Sequence, residues 1–141
     1  MGLDVLGELN WWAVVVATAI YWVLGALWFS PVLFQKPWLA SMGYTPDPEV
    51  RPGASVMVFP LLTCAVAATG VGVLAAWTGA SGLGDGVRLG LVLCLGLVMT
   101  LTGVTAFFEP TKVSRSTWWA VNASYHVAGI FVAAVLLAAW H

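Results

Sequence analysis

No charged residue stands between Glu8 and Lys36, and that gap constrains the fold more than any other feature of the chain. The gap recurs. Arg51 to Asp85, Arg88 to Glu109 and the stretch after Arg115 are also apolar runs free of Asp, Glu, Lys and Arg. Each is long enough to cross a hydrocarbon core of about 30 Å, which takes about 20 helical residues. Only 8% of the 141 residues are charged and 61% are hydrophobic, against about a quarter and about half in soluble domains. So few charges cannot furnish a polar surface, so the solvent for most side chains is lipid. The runs are continuous rather than alternating, and an open sheet edge cannot sit in hydrocarbon, which excludes strands. The sequence therefore predicts an all-α membrane protein. It is one four-helix transmembrane bundle with short loops, its spans at about 11–34, 55–78, 88–108 and 118–140.

Ser30-Pro31 should stop or kink the first span, because proline disfavours helical geometry at the residue before it. Pro60 falls near the start of the second span, where a missing N–H does little harm. The connections Gln35–Ala54, Thr78–Gly86 and Glu109–Thr117 are too short to hold a catalytic domain. The first and third connections carry Lys36, Arg51, Lys112 and Arg115, whereas the opposite face carries Arg88. This imbalance places the first and third loops in the cytoplasm and both termini outside. The expected location is a bacterial cytoplasmic (inner) membrane, crossed several times. The acidic start, with Asp4 and Glu8, does not resemble a cleavable signal, and no lipidation motif is present. Trp11, Trp12, Trp38, Trp118, Trp119 and Trp140 fall at span ends, as an aromatic belt requires, and Lys36 and Arg88 join them as interfacial anchors. Arg88 can also pair with Asp85. Phe29-Ser30-Pro31 and Phe108-Glu109-Pro110 close spans that run in the same direction, and each is followed by basic residues and tryptophan, the pattern of a parallel repeat.

His126 is the ionisable residue inside the fourth span. It lies about eight residues in, roughly 12 Å deep. Ionisable groups at that depth face a bundle interior or water, and desolvation keeps such an imidazole neutral. A neutral imidazole can relay a proton, act as a base or bind a metal. Asn122, four residues earlier, shares its face, Tyr125 is adjacent, and Glu109 ends the preceding span at the same membrane side. These residues are expected to form a polar pocket, to which Tyr21 in the first span can contribute. The alternative is a purely structural hydrogen bond from His126, with Glu109 a solvated partner of Lys112 or Arg115. Thr100, Thr102 and Thr105 are read as helix–helix glue. Cys64 and Cys94 lack metal or redox spacing and are expected to be buried and inert. His126 and His141 lie fifteen residues apart, roughly 22 Å along one helix, so they cannot clamp one haem. No metal and no cofactor is predicted. A net charge of −1 leaves no basic patch for nucleic acid. Ala68, Gly72 and Ala76, Gly86 and Gly90, and Gly129 and Ala133 form small-residue stripes that allow close helix approach. They exceed what one four-helix packing needs, so a homo-oligomer, most simply a dimer, is expected.

The chain also resembles a known family. Asn10-Trp11 opens a first span that ends Gly25-Ala26-Leu27-Trp28-Phe29-Ser30-Pro31, followed by Phe34, Lys36 and Trp38. Asn122-Ala123-Ser124-Tyr125-His126 lies in the last span. Together these are similar to the signature of the bacterial membrane family called domain of unknown function 1761. Gln35 stands where that family often has glycine, Pro37 intervenes before Trp38, and Ser124 replaces a frequent glycine. The resemblance implies a four-helix inner-membrane protein with no agreed activity.

Three functions fit this reading. One is an oligomeric transporter or channel-like protein, handicapped by the absence of a carboxylate deep in a span. Another is a membrane enzyme or a binding protein for a lipophilic small molecule, using His126 and Glu109. No nucleophile constellation supports catalysis, so enzyme activity is open but not favoured. The third is a structural or accessory subunit. The partners implied are the lipid bilayer, a second copy of the chain and a small lipophilic or ionic ligand.

Overall fold

The computed structural model describes residues 2–47 and 53–140. Arg51 and His141 lie outside the described residues. Among those described, all regular structure is helical. A 3-10 turn, Leu3–Gly7, precedes α1 (Trp11–Trp28), α2 (Gln35–Ser41), α3 (Ser55–Thr78), α4 (Gly82–Phe108) and α5 (Arg115–Ala139). Four of these, α1, α3, α4 and α5, are long and apolar enough to cross a membrane. The chain is a multi-pass membrane protein.

Local chemistry sets the helix ends. Asn10 caps α1, its side-chain oxygen accepting the Ala13 N–H at 3.2 Å, which satisfies one donor that the first helical turn leaves without a partner. At the other end Ser30-Pro31 breaks the helix, which stops at Trp28 instead of running on to residue 34. Gly79 ends α3 in the left-handed region at φ 64°. Glycine reaches that conformation without strain, and its own N–H then donates to the Ala76 carbonyl and the Ala80 N–H to the Ala75 carbonyl. Only two residues separate Gly79 from Gly82, where α4 begins, earlier than the Arg88 start expected from charge. Asp85 stabilises this start by accepting the Ser81 N–H at 3.2 Å. Within α4 the turn opens to a π-helix over Cys94–Val98. Pro60 sits in the second turn of α3. It interrupts the local ladder, and the Met57 carbonyl beside it accepts a 3.0 Å bond from Trp22 Nε1 on α1.

The packing centres on α5. It touches α1 and α3 along one side and α4 along the other, while α4 shares no extended contact with α1 or α3. The core is built of small residues, with Ala13, Ala17, Ala68, Ala133 and Ala134 buried together beside Val14, Val71 and Leu137. The glycine stripes are used here. A Cβ on Gly86 would come within 2.7 Å of Val135 Cα, and one on Gly90 within 2.8 Å of the Phe131 ring. So α4 and α5 approach almost backbone to backbone, as lipid-embedded helices do when dispersion replaces the hydrophobic drive.

α2 docks onto the third connection. The carbonyl of Ser41, a buried residue, accepts the N–H groups of Val113 and Ser114 at 2.8 and 3.1 Å. The first and third connections therefore share one face of the molecule. The repeat suggested by Phe29-Ser30-Pro31 and Phe108-Glu109-Pro110 is not matched beyond the helix ends. The first leads into α2, whereas the second leads directly into α5.

Candidate functional site

The first and last membrane-spanning helices, α1 and α5, meet about midway along their lengths. Tyr21 Oη lies 2.6 Å from His126 Nδ1. α5 begins at Arg115, so His126 sits roughly 17 Å along it at 1.5 Å per residue, deeper than the expected start at Trp118 implied. Tyr21 is buried and the imidazole partly exposed. Tyr125, on the neighbouring face, is also buried, and its hydroxyl stands 3.6 Å from Cys64 Sγ on α3. Its ring lies 5.3 Å from both Tyr21 and Phe29. One cluster therefore draws on α1, α3 and α5.

Two glycines make room for it. A Cβ on Gly25 would meet the Tyr125 hydroxyl at 2.7 Å, and a Cβ on Gly129 would collide with the Tyr21 ring. The helix end above the cluster continues it. Trp28 donates from Nε1 to the Val121 carbonyl at 3.1 Å, and Phe29 stacks on Trp38 at 4.9 Å between centroids. Trp38 Nε1 is buried with no acceptor among the described residues.

Hydrogen positions follow from counting partners. If Nδ1 carried the proton and donated to Tyr21, the tyrosine O–H would need a second acceptor in an apolar interior. The Nδ1 contact is the hydrogen bond that Tyr21 makes among the described residues. A tyrosine that donates to Nδ1 satisfies both groups with one bond. A neutral imidazole must then carry its proton on Nε2. That N–H has no acceptor among the described residues.

Two other expected members of the pocket make local bonds of their own. Asn122 turns its amide back along its own helix and donates to the Trp118 carbonyl at 2.8 Å. Glu109 lies in the third connection, where Thr111 Oγ1 donates to it at 2.7 Å and the Thr111 N–H at 3.3 Å. These bonds, the hydroxyl first, hold its carboxyl below the usual carboxylate range, helped by Lys112 nearby. The Lys112 ammonium sits 4.9 Å over the Trp118 ring. Arg88 pairs with Asp85 at 3.1 Å at the opposite end. Trp11 and Trp12 are exposed, as interfacial anchors are, and Lys36 is exposed at the start of α2. Trp119, by contrast, packs over Gly103, its Nε1 facing the Met99 carbonyl at 3.4 Å. Among the described residues no three His, Cys, Asp or Glu side chains converge as metal ligands would.

Sequence reasoning missed Cys64, Gly25 and Gly129 as members of the cluster. Gly129 stood in a small-residue stripe, but nothing in the sequence told that a tyrosine ring from another helix fills its place. The thiol of Cys64 carried no signal at all.

A search of curated proteins and a search of solved structures each gave no match. A profile for proteins of unknown function, DUF1761, matches residues 12–138. Both segments that carry the resemblance, the end of α1 and the Asn-Ala-Ser-Tyr-His stretch of α5, lie within that match and contribute side chains to the cluster. The chain belongs to this family of proteins of unknown function.

Proposed function

We propose that the protein binds a small lipophilic molecule bearing a hydrogen-bond acceptor, such as a carbonyl oxygen, and that His126 is the contact. The supporting observation is the Tyr21–His126 bond of 2.6 Å, which fixes the ring by Nδ1 and leaves Nε2–H as an unused donor in a partly exposed residue at mid-membrane. In hydrocarbon an unsatisfied polar group costs several kcal/mol, so an acceptor arriving there is bound by what it relieves. Tyr125 and Tyr21 supply the aromatic walls. Glu109 lies in the third connection, bonded to Thr111, and supplies no carboxylate partner to the imidazole.

The test is retention of lipophilic molecules by the purified protein. Organic extracts of wild type and His126→Asn are compared by mass spectrometry. Asparagine keeps an acceptor for Tyr21 but has no distal donor. The expected result is an acceptor-bearing lipophile held by wild type and lost from the variant, at equal melting temperature. Identical extracts would refute the assignment.

Assembly would suit a transport role, because among the described residues α4 makes extended helix–helix contact with α5 and not with α1 or α3. Only 11% of the most apolar stretch of α4 is buried, and its outer side offers a face on which copies could meet. The small-residue stripes on α4 and α5 are used within the protomer, so they leave that face to α4's large apolar side chains. A homo-oligomer in a bacterial inner membrane, both termini outside, is the assembly we propose. A mass of one protomer in native nanodiscs would overturn it.

A further inference from the structure

A cleft of about 280 Å³ opens at the end of the molecule where both termini lie, far from His126. It runs between the start of α1, the end of α3 and the end of α5, and the site above makes no use of it. Its floor is apolar, formed by Val14, Gly72, Ala75 and Leu137, and Glu8 and Trp140 line it as well. Glu8 and Trp140 are both exposed.

We infer that this cleft binds an amphiphilic cation with a compact ammonium head and a short alkyl tail. Three features select that chemistry. The first is charge. Arg88, the basic side chain at this end, is already engaged by Asp85 at 3.1 Å, and Glu8 has no ion-pair partner among the described residues. The second is the indole of Trp140, whose face attracts a cation through its quadrupole. The third is size. Ligand pockets run from about 300 to about 1,000 Å³, so this cleft takes a small amphiphile rather than a whole lipid. Asn10 and Ser81 also line it, but both are uncharged and the Asn10 side-chain oxygen caps α1, which leaves the Glu8 carboxylate as the charged anchor. The tail lies over the alanines and glycines of α3, where the absence of large side chains creates the space. This assignment is independent of the His126 site.

Equilibrium dialysis of hexyltrimethylammonium against the full chain tests it, first in maltoside micelles, whose headgroups carry no charge. One saturable site is expected. Glu8→Gln should weaken it at least tenfold, and Ala76→Leu, which fills the cleft from an exposed helix position, should remove it. Hexyl sulfate, with the same tail and the opposite charge, should show no saturable binding. If Ala76→Leu does not assemble, Trp140→Ala replaces it, with an expected loss of at least fivefold. Affinity should stay within threefold in phosphatidylcholine nanodiscs. A tenfold loss there would mean that lipid headgroups occupy the cleft and would overturn the proposal. So would unchanged affinity in Glu8→Gln, equal binding of hexyl sulfate, or no saturable binding by wild type.

Discussion

A tyrosine hydroxyl at mid-membrane has few acceptors within reach, and the imidazole of His126 supplies one. Interhelical hydrogen bonds in membranes contribute about 0.6 kcal/mol on average and rarely more than about 1.7. Tyr21→Phe should therefore cost about 1 kcal/mol in a reversible unfolding assay in lipid–detergent micelles. His126→Leu should cost more, because it leaves the tyrosine O–H without an acceptor. Gly129→Ala should be worse than either, since its Cβ collides with the Tyr21 ring, and overpacking of this kind typically costs about 1–3 kcal/mol. Glu109 follows a different logic. Its carboxyl is held below the ordinary range by Thr111, so its contribution to loop order is present above the ordinary carboxylate value and is lost as pH falls through its lowered value. In Thr111→Val the carboxyl should titrate at higher pH, read by carbon NMR of the labelled side chain. His126 and Tyr21 were legible as candidates because polar groups inside apolar runs are costly wherever they lie. Asn122 shares the face of His126, yet its amide donates to the carbonyl four residues back, an option that face-sharing arguments ignore.

Between residues and the whole, the Ser30-Pro31 break was legible although the span drawn to residue 34 overran it, the Asn10 cap was not read, and boundaries taken from charge fared poorly. Asn10 and Ser30-Pro31 bracket α1 as chemistry dictates. α4 instead runs back past Arg88 and Asp85 to Gly82, since a paired arginine in the first turns does not end a helix. α2 was not foreseen. Its seven residues carry a proline and no periodic apolar face, and it is held by tertiary bonds from Ser41 to Val113 and Ser114. That docking places the first and third connections on one side. Cysteines introduced at exposed Tyr44 and Val113 should therefore react with an impermeant maleimide from the same side of the membrane, and one at exposed Leu83 from the other. With both loops in the cytoplasm, only Leu83→Cys labels on intact cells. Labelling of Tyr44→Cys alone among the three would contradict the shared face.

At the scale of the whole molecule, four spans were countable from charge gaps, but their arrangement was not. A hub helix with α1 and α3 on one side and α4 on the other depends on which small residues meet, and every span carries such residues. Gly86→Leu should detach α4 by forcing a side chain into the Val135 backbone, while the cluster between α1, α3 and α5 persists. The readout is limited proteolysis that cuts within α4 and spares α5. The proposed site turns on one proton. Tyr21 holds Nδ1 there, which puts the proton of His126 on Nε2, where the proposed ligand would accept it. Nitrogen NMR of histidine-labelled protein in bilayers, in a His141→Gln background, reads that tautomer directly. The account predicts a neutral ring protonated at Nε2, with the Nδ1 resonance shifting in Tyr21→Phe. A proton on Nδ1, or a resonance indifferent to Tyr21→Phe, would contradict it.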